Sequence, residues 1–434
     1  MQNRLIVTLL LLSILLASCA SIDGSDRELP AGESNLVKSQ LARETAPQIA
    51  PETLSALVKG NTDFAFAFYD QIREDDSNII FSPISLSLAL SMTLAGADNT
   101  TQDEMLNALQ FDLPEESVHA AINALLLAID ESQSQTMEDR DGSNFQLNIA
   151  NSIWGQDGFD FRQDFLDVLA RHYGAGIYKV DFLNQPEVAR ELINHWVEEE
   201  TEKRIQDLIP PDAISPLTRL VLANAIYFNG SWRQPFSESG TAKEQFTNLD
   251  GTTSEVDMMR LSGERLAYAK GQDFQLVQLP YLSDDFMMTV IVPDLGDFKD
   301  FESGFDSVAL ASILEDISYE EVNLRMPKYE FTTTINANDV LKNLGMAGAF
   351  DAELADFSGM TESEKLFISD VIHKADIKVD EKGTEAAAAT AVIVGVESMM
   401  PGEPISLVID RPFFFTIQHR PTGSILFMGR FTQP

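Results

Sequence analysis

Apolar side chains recur at helical spacing at Leu54, Leu57, Val58, Phe64 and Phe68, which predicts a helix from Glu52 onward. Ser82-Pro83 is a helix-start signal, so Leu86 to Leu94 reads as a second helix and Thr101 to Leu109 as a short third. Glu116 to Ile129 is amphipathic, with no Lys or Arg. Strand character marks Phe145 to Ile153, Leu220 to Phe228, Gln275 to Leu279, Phe286 to Val292 and Val322 to Met326. Three further runs, Leu407 to Ile409, Phe413 to Ile417 and Ile425 to Gly429, close the chain. Helices and strands mix without βαβ regularity, which argues for an α+β fold. Length alone would suggest two or three domains. No linker interrupts the pattern after Glu52, however, and one continuous domain over 52–434 is expected. There is no internal repeat. Gly345-Met346-Ala347-Gly348 lacks the Lys-Ser/Thr of a phosphate loop and reads as a helix end.

The pattern is different before Glu52. Arg4 precedes an apolar run from Leu5 to Leu16, closed by Leu16-Ala17-Ser18-Cys19. The run is short of the ~20 apolar residues that span a membrane, and its end resembles a bacterial lipobox. Residues 1–18 are therefore expected to be a lipoprotein signal peptide, with Cys19 the lipidated residue that tethers the chain to a membrane. Ala20, which is not acidic, favours the outer membrane within a bacterial cell envelope; release to the extracellular space is the other location. Few large apolar residues occur from Ala20 to Pro51, so 19–51 is expected to be a flexible tether.

Composition narrows the function classes. Among 434 residues, 30 are basic and 68 acidic, a net charge of -38 that repels nucleic acids and sulfated polysaccharides. Cys19 is the only cysteine, which excludes an intrachain disulfide and a CxxC or Cys-based metal cluster. The histidines, His119, His172, His195, His373 and His419, sit in no HExxH, and no GxSxG occurs. No catalytic residue, metal or cofactor is expected. Glu198, Glu199, Glu200 and Glu202, near Trp196, read as a solvated face.

The stretch that stands apart is Glu381-Lys382-Gly383-Thr384-Glu385-Ala386-Ala387-Ala388-Ala389-Thr390, followed by Ala391 to Pro404. Alanines favour helix, yet this run flows into β-branched residues. At period two, Thr384, Ala386, Ala388, Thr390, Val392 and Val394 share one face, all compact enough to slide between existing strands. Such a segment could stand outside as a loop and become a central strand once one end is released.

This stretch resembles the reactive-loop hinge of the serpin family, and the resemblance runs from about Glu52 to the C-terminus. Asn78-Ile79-Ile80-Phe81-Ser82-Pro83-Ile84-Ser85, continuing to Gly96-Ala97 and Thr100-Thr101, is similar to the family's second-helix motif. Leu222 to Trp232, Asp356-Phe357-Ser358-Gly359-Met360 and Asp410-Arg411-Pro412-Phe413-Phe414-Phe415 resemble three more signatures. The resemblance implies three β-sheets, eight or nine helices and an exposed reactive-centre loop. It also implies suicide inhibition of serine, or alternatively cysteine, endopeptidases: the protease acylates on the loop, the freed hinge enters the main sheet, and the enzyme is trapped covalently. The hinge would comprise Glu381, Gly383, Thr384, Ala386, Ala387, Ala388, Ala389 and Thr390. Ser82, Ser85, Asn224 and His373 correspond to the polar shutter under the sheet, with His373 bonding Asn224. Trp232, Lys328 and Glu381 correspond to the breach where insertion begins. Lys203 stands where a glycine is common in the family, which puts the local turn in doubt.

The family's usual spacing from Glu381 places the scissile bond at Glu397-Ser398. The loop is a few residues longer before Arg411-Pro412, so Val396, Met399 and Met400 are alternatives. Residues 116–143, which correspond to the cofactor helix of some serpins, hold only Arg140 as a strong base, so no heparin-like activator is expected. The expected partner is a target protease, and the chain is expected to be a monomer. A non-inhibitory serpin, serving as a binding, carrier or chaperone-like lipoprotein, is the alternative; such members tend to carry charged, bulky or proline residues in the hinge, where this chain has Thr384 and four alanines.

Overall fold

The computed structural model describes residues 35–139, 145–363, 365–384 and 403–434. Nine α-helices occur among them: α1 (Pro51–Ile72), α2 (Pro83–Leu94), α3 (Asn99–Ala108), α4 (Glu115–Asp139), α5 (Gln163–Val168), α6 (Pro186–Glu200), α7 (Phe298–Ser303), α8 (Ser307–Glu315) and α9 (Asn338–Leu341). The side chain of Ser82 caps α2 by accepting from the backbone N–H of Ser85 at 3.3 Å, and Pro83 occupies the first turn, where its missing N–H costs nothing. Every residue of α2 is buried, as befits a helix that is apolar on all sides.

The first sheet runs in the order β1 (Leu36–Val37), β4 (Ile177–Val180), β3 (Phe145–Gln156), β5 (Leu220–Ser231), β13 (Gly383–Thr384), β12 (Asp370–Val379), β11 (Tyr329–Asn336). The second is a path of β14 (Ile405–Val408), β10 (Ser318–Pro327), β7 (Thr253–Lys270), β8 (Phe274–Pro280), β9 (Phe286–Pro293), β15 (Phe413–His419), β16 (Ser424–Phe431) and β2 (Ile79–Phe81), with β6 (Ala242–Thr247) on β7. The long strand β7 joins two groups, one with β6, β10 and β14 and the other running from β8 to β2, so the expected second and third sheets are hydrogen-bonded into one.

β5 is buried on both faces, which is why it reads as an unbroken apolar run. Leu220, Leu222 and Ile226 enter the main core; Val221, Ala223 and Ala225 enter a second core with Ile193 and Val197 of α6. The first sheet is thus sandwiched between α6 on one face and the main core on the other.

The expectation of a flexible tether over 19–51 is corrected in its second half. Leu36 and Val37 pair antiparallel with Tyr178 and Ile177, adding a strand to the sheet edge. Arg43 Nε donates to Asn123 Oδ1 at 2.9 Å, Asn123 Nδ2 to the Glu44 carbonyl at 2.7 Å, and the Glu44 N–H to the Arg171 carbonyl at 2.9 Å. Backbone pairing and polar side chains hold this segment, so its poor apolar content was a misleading sign. Cys19 and the expected signal peptide over 1–18 lie outside the described residues.

The turn after α6 explains the doubt over Lys203. Glu202 and Lys203 have φ of 50° and 65°, the left-handed region, while the Lys203 N–H closes the helix on the Glu198 carbonyl at 2.7 Å. Only glycine adopts that backbone without steric cost. Lys203→Gly is expected to stabilise the fold by roughly 0.5 to 1 kcal/mol. A denaturation midpoint that rises with unchanged slope would bear this out, and an unchanged or lower midpoint would count against it.

Candidate functional site

The centre of the first sheet is in two states at once. Over Val221–Ile226 and Asp370–Ala375, β5 and β12 pair directly in parallel, with Asn224 opposite His373. Four residues further along both strands, β13 stands between them: Thr384 pairs with Gly230 on one side and Val379 on the other, and Gly383 pairs with Ser231. Among the described residues, no pairing joins 227–229 to 376–378, so the strands part there. The sheet is closed at one end and wedged open at the other by Gly383 and Thr384.

The wedge is fitted, not incidental. A Cβ on Gly383 would sit 2.2 Å from the Gly230 carbonyl oxygen and 2.7 Å from Ser231 Cα, so only glycine passes so close to β5. Thr384 is 1% exposed, and its hydroxyl meets Tyr281 Oη at 2.8 Å. The Tyr281 ring stacks on Trp232 at 4.7 Å and 15°. Trp232 in turn holds the turn before the wedge: its backbone N–H donates to the Lys382 carbonyl at 2.8 Å and its indole N–H to the Asp380 carbonyl at 3.0 Å. Glu381, buried beside this turn, accepts from Lys328 Nζ at 2.8 Å and Thr241 Oγ1 at 2.6 Å. Burial pushes the Glu381 carboxyl up, but the hydrogen bonds from Lys328 and Thr241 outweigh it and bring it below its ordinary range. The structure therefore brings Trp232, Lys328, Glu381, Gly383 and Thr384 together, and adds Tyr281 and Thr241, which sequence reading did not single out. Ala386, Ala387, Ala388, Ala389, Thr390, Val396, Glu397, Ser398, Met399 and Met400 lie outside the described residues. On their far side, β14 pairs in parallel with β10, Ile405 opposite Val322, so the two flanks of the segment are fixed in different sheets.

At the closed end, Ser82, Ser85, Asn224 and His373 are all fully buried and form one network. The Ser82 backbone N–H donates to His373 Nε2 at 3.0 Å. An N–H cannot accept, so the ring is the neutral tautomer with its proton on Nδ1, which donates to Asn224 Oδ1. Asn224 Nδ2 donates to Ser85 Oγ at 2.7 Å and to Asn151 Oδ1. Ser85 Oγ donates to Asn151 Oδ1 at 3.3 Å. Asn151 is a member that sequence reading missed, although an asparagine inside an apolar strand was the available signal.

A Ser-His-Asp grouping exists elsewhere but in the wrong order for hydrolysis. Ser132 Oγ donates to Asp285 Oδ2 at 2.8 Å and lies 3.0 Å from His419 Nε2, while His419 Nδ1 faces Thr422 Oγ1 at 2.9 Å. The serine separates the other two, so among the described residues no carboxylate is hydrogen-bonded to the imidazole, and burial takes His419 down to about 4.

A protein-family model described as "Serpin (serine protease inhibitor)" matches residues 59–434. An uncharacterized serpin-like protein of Thermococcus kodakarensis is 37% identical over 379 residues, 87% of this chain and 86% of that protein. Leukocyte elastase inhibitor of Sus scrofa is 35% identical over 395 residues, 88% of this chain and 100% of its own. The solved structure of a thermophilic serpin, tengpin, in the native state superposes with a TM-score of 0.78 at 26% identity, covering 92% of this chain and 98% of that one.

His373 makes stability depend on pH. Burial lowers it from 6.5 to about 3, so between those values the unfolded chain binds a proton that the folded chain refuses. Stability is therefore full above pH 6.5 and falls as the pH drops towards 3, by roughly 1.4 kcal/mol per pH unit for this group. Unfolding free energies measured between pH 6 and pH 4 are expected to show this slope, shallower in His373→Leu; an equal slope in the variant would contradict it.

Proposed function

The chain belongs to the serpin family, and from that premise we propose that it is an inhibitory member that traps serine endopeptidases, or alternatively cysteine ones, by loop insertion. The observation that carries this reading is the wedge itself: Gly383 and Thr384 already occupy the start of the slot between β5 and β12. A protease would acylate on the residue before the cut, Glu397 by spacing, and Ser398 would leave with the new amino terminus. Nothing would then hold the far end of the hinge, and Ala386, Ala388 and Thr390 could follow Thr384 inward.

Insertion exchanges one neighbour for two. The direct β5–β12 pairing, with the His373–Asn224 bond inside it, must open, and each strand then gains a full ladder with the newcomer. At roughly 0.5–1.5 kcal/mol net per ladder hydrogen bond, a complete strand stabilises the product by on the order of 10 kcal/mol. The shutter network would set the barrier, since its bonds must break before new ones form. Charged or bulky residues on the inward face could not enter; the compact face of Thr384, Ala386, Ala388 and Thr390 would.

The lipobox-like Leu16-Ala17-Ser18-Cys19 supports a lipid-anchored envelope location, and residues 20–34 would span from the anchor to the docked strand β1. The acidic surface and the scarcity of bases in 116–143 support action without a polyanionic activator.

Mixed with elastase, chymotrypsin, subtilisin and a glutamyl endopeptidase, the protein is expected to give a detergent-resistant covalent adduct with at least one. Mass spectrometry of the released C-terminal peptide identifies the bond cut. Thr384→Arg is expected to be cleaved without forming the adduct, because a guanidinium cannot take the place of a side chain sealed against Tyr281. Cleavage without any adduct in the unaltered protein would favour the non-inhibitory alternative.

A further inference from the structure

The turn that follows α6 is held by three strands of the first sheet. From β3, Gln146 Nε2 donates to Glu202 Oε1 at 2.7 Å and Asn148 Nδ2 to the Glu200 carbonyl at 3.4 Å. Over β5, the Arg204 guanidinium lies above the Tyr227 ring, 5.7 Å from its centroid. From β12, Lys374 Nζ donates to the Gln206 carbonyl at 2.7 Å. Ile205, Leu208 and Ile209 of the same turn are buried in the second core with Val221, Ala223 and Ala225 of β5 and Ile372 of β12. Alternation along a strand puts Tyr227 on the face of Ala225, and Lys374 and Asp376 on the face of Ile372, so these contacts all lie on the α6 side.

The turn sits where the strands part. Direct β5–β12 pairing ends at Ile226 and Ala375, and β13 is held between Gly230 and Val379. Tyr227 and Asp376 are the first residues beyond that pairing. Burial raises the Asp376 carboxyl above its ordinary range, and Thr332, Arg204 and Lys374 each oppose the rise, so the Arg204 charge reaches β12 as well as the ring on β5.

The offset between Gly230 and Val379 equals that between Val221 and Asp370, so a strand continuing from Thr384 would separate the existing pairs in register, without slippage. It would move β12 away from β5 by about 4.8 Å, the width of one strand. β3 and β5 are paired throughout Phe145–Gly155 and shift together. The turn is fixed to that pair through Glu200, Glu202 and Arg204, and to β12 through Lys374. A 2.7 Å hydrogen bond does not survive such a displacement of one partner.

We propose that Lys374 and Arg204 are positioning residues for loop insertion: they clasp β12 to β5 across the unpaired level of the sheet, and a strand entering behind Thr384 must release the Lys374–Gln206 bond to pass. This role rests on the inhibitory reading above, whereas the clasp belongs to the intact chain.

Hydrogen exchange read by mass spectrometry on the intact full chain measures opening between β5 and β12 without any protease. Lys374→Met keeps the aliphatic stem and removes the donor. Its amides over Val221–Ile226 and Asp370–Ala375 are expected to exchange about tenfold faster, with those of β15 and β16 unchanged. Arg204→Met is expected to act in the same direction, and the double variant to be no faster than the faster single one, because either loss undoes the same clasp. Arg204 is exposed and Lys374 half-buried, so neither change opens the core. Unchanged exchange in Lys374→Met, acceleration shared equally by β15 and β16, or additive effects in the double variant would overturn the proposal. With a protease that forms the adduct, Lys374→Met is expected to form it at least about twofold faster at saturating enzyme; faster exchange without faster adduct formation would overturn the role in insertion. Absence of any adduct in the unaltered protein would contradict the inhibitory reading and leave the clasp to stand or fall by exchange.

Discussion

Two parallel strands can bond to each other or to a strand between them, but not both. β5 and β12 do the first over Val221–Ile226 and Asp370–Ala375 and the second at Gly230 and Val379. Everything distinctive about the molecule follows from that division. Trp232, Tyr281, Lys328 and Glu381 fix the point where the hinge enters, and Ser82, Ser85, Asn151, Asn224 and His373 hold the point beyond which it has not gone. β13 and β14, the strands that flank 385–402, lie in separate sheets, and on the proposed function the division would last only while that connection is intact.

Much of this was legible in the chain. The helical spacing from Leu54 to Phe68 became α1, and the unbroken apolar run at Leu220 became β5, because burial on one stripe or on both faces leaves a plain pattern. β7 left none: Thr253–Lys270 carries charges on its exposed positions and changes partners along its length, so no single period persists. β1 could not be read at all, since two residues held by edge pairing need no apolar pattern. The shutter residues were reached only through resemblance. A lone His373 in a strand looks like any core histidine until Ser82 and Asn224, distant in sequence, are seen on its two nitrogens. Asn151 and Tyr281 were missed because polarity inside an apolar strand and a tyrosine near a turn are each unremarkable without their partners.

The N-terminal segment changes meaning once placed. Read as a tether, 19–51 would only connect an anchor to a body. Docked, its Leu36 and Val37 extend the first sheet and its Arg43 is bonded to Asn123 of α4. Asn151 of β3 belongs to the shutter network through its side-chain oxygen. β3 stands between the two, paired with β4, the partner of β1, on one side and with β5 on the other.

The most direct measurement is thermal unfolding of the chain before and after a single cut within 385–402. If the severed segment enters the sheet, the cut protein should unfold roughly 10 °C or more above the intact one, as on the order of 10 kcal/mol of new strand pairing requires. A cut protein that unfolds at the same temperature or lower would mean that the slot between β5 and β12 is not a destination for the hinge.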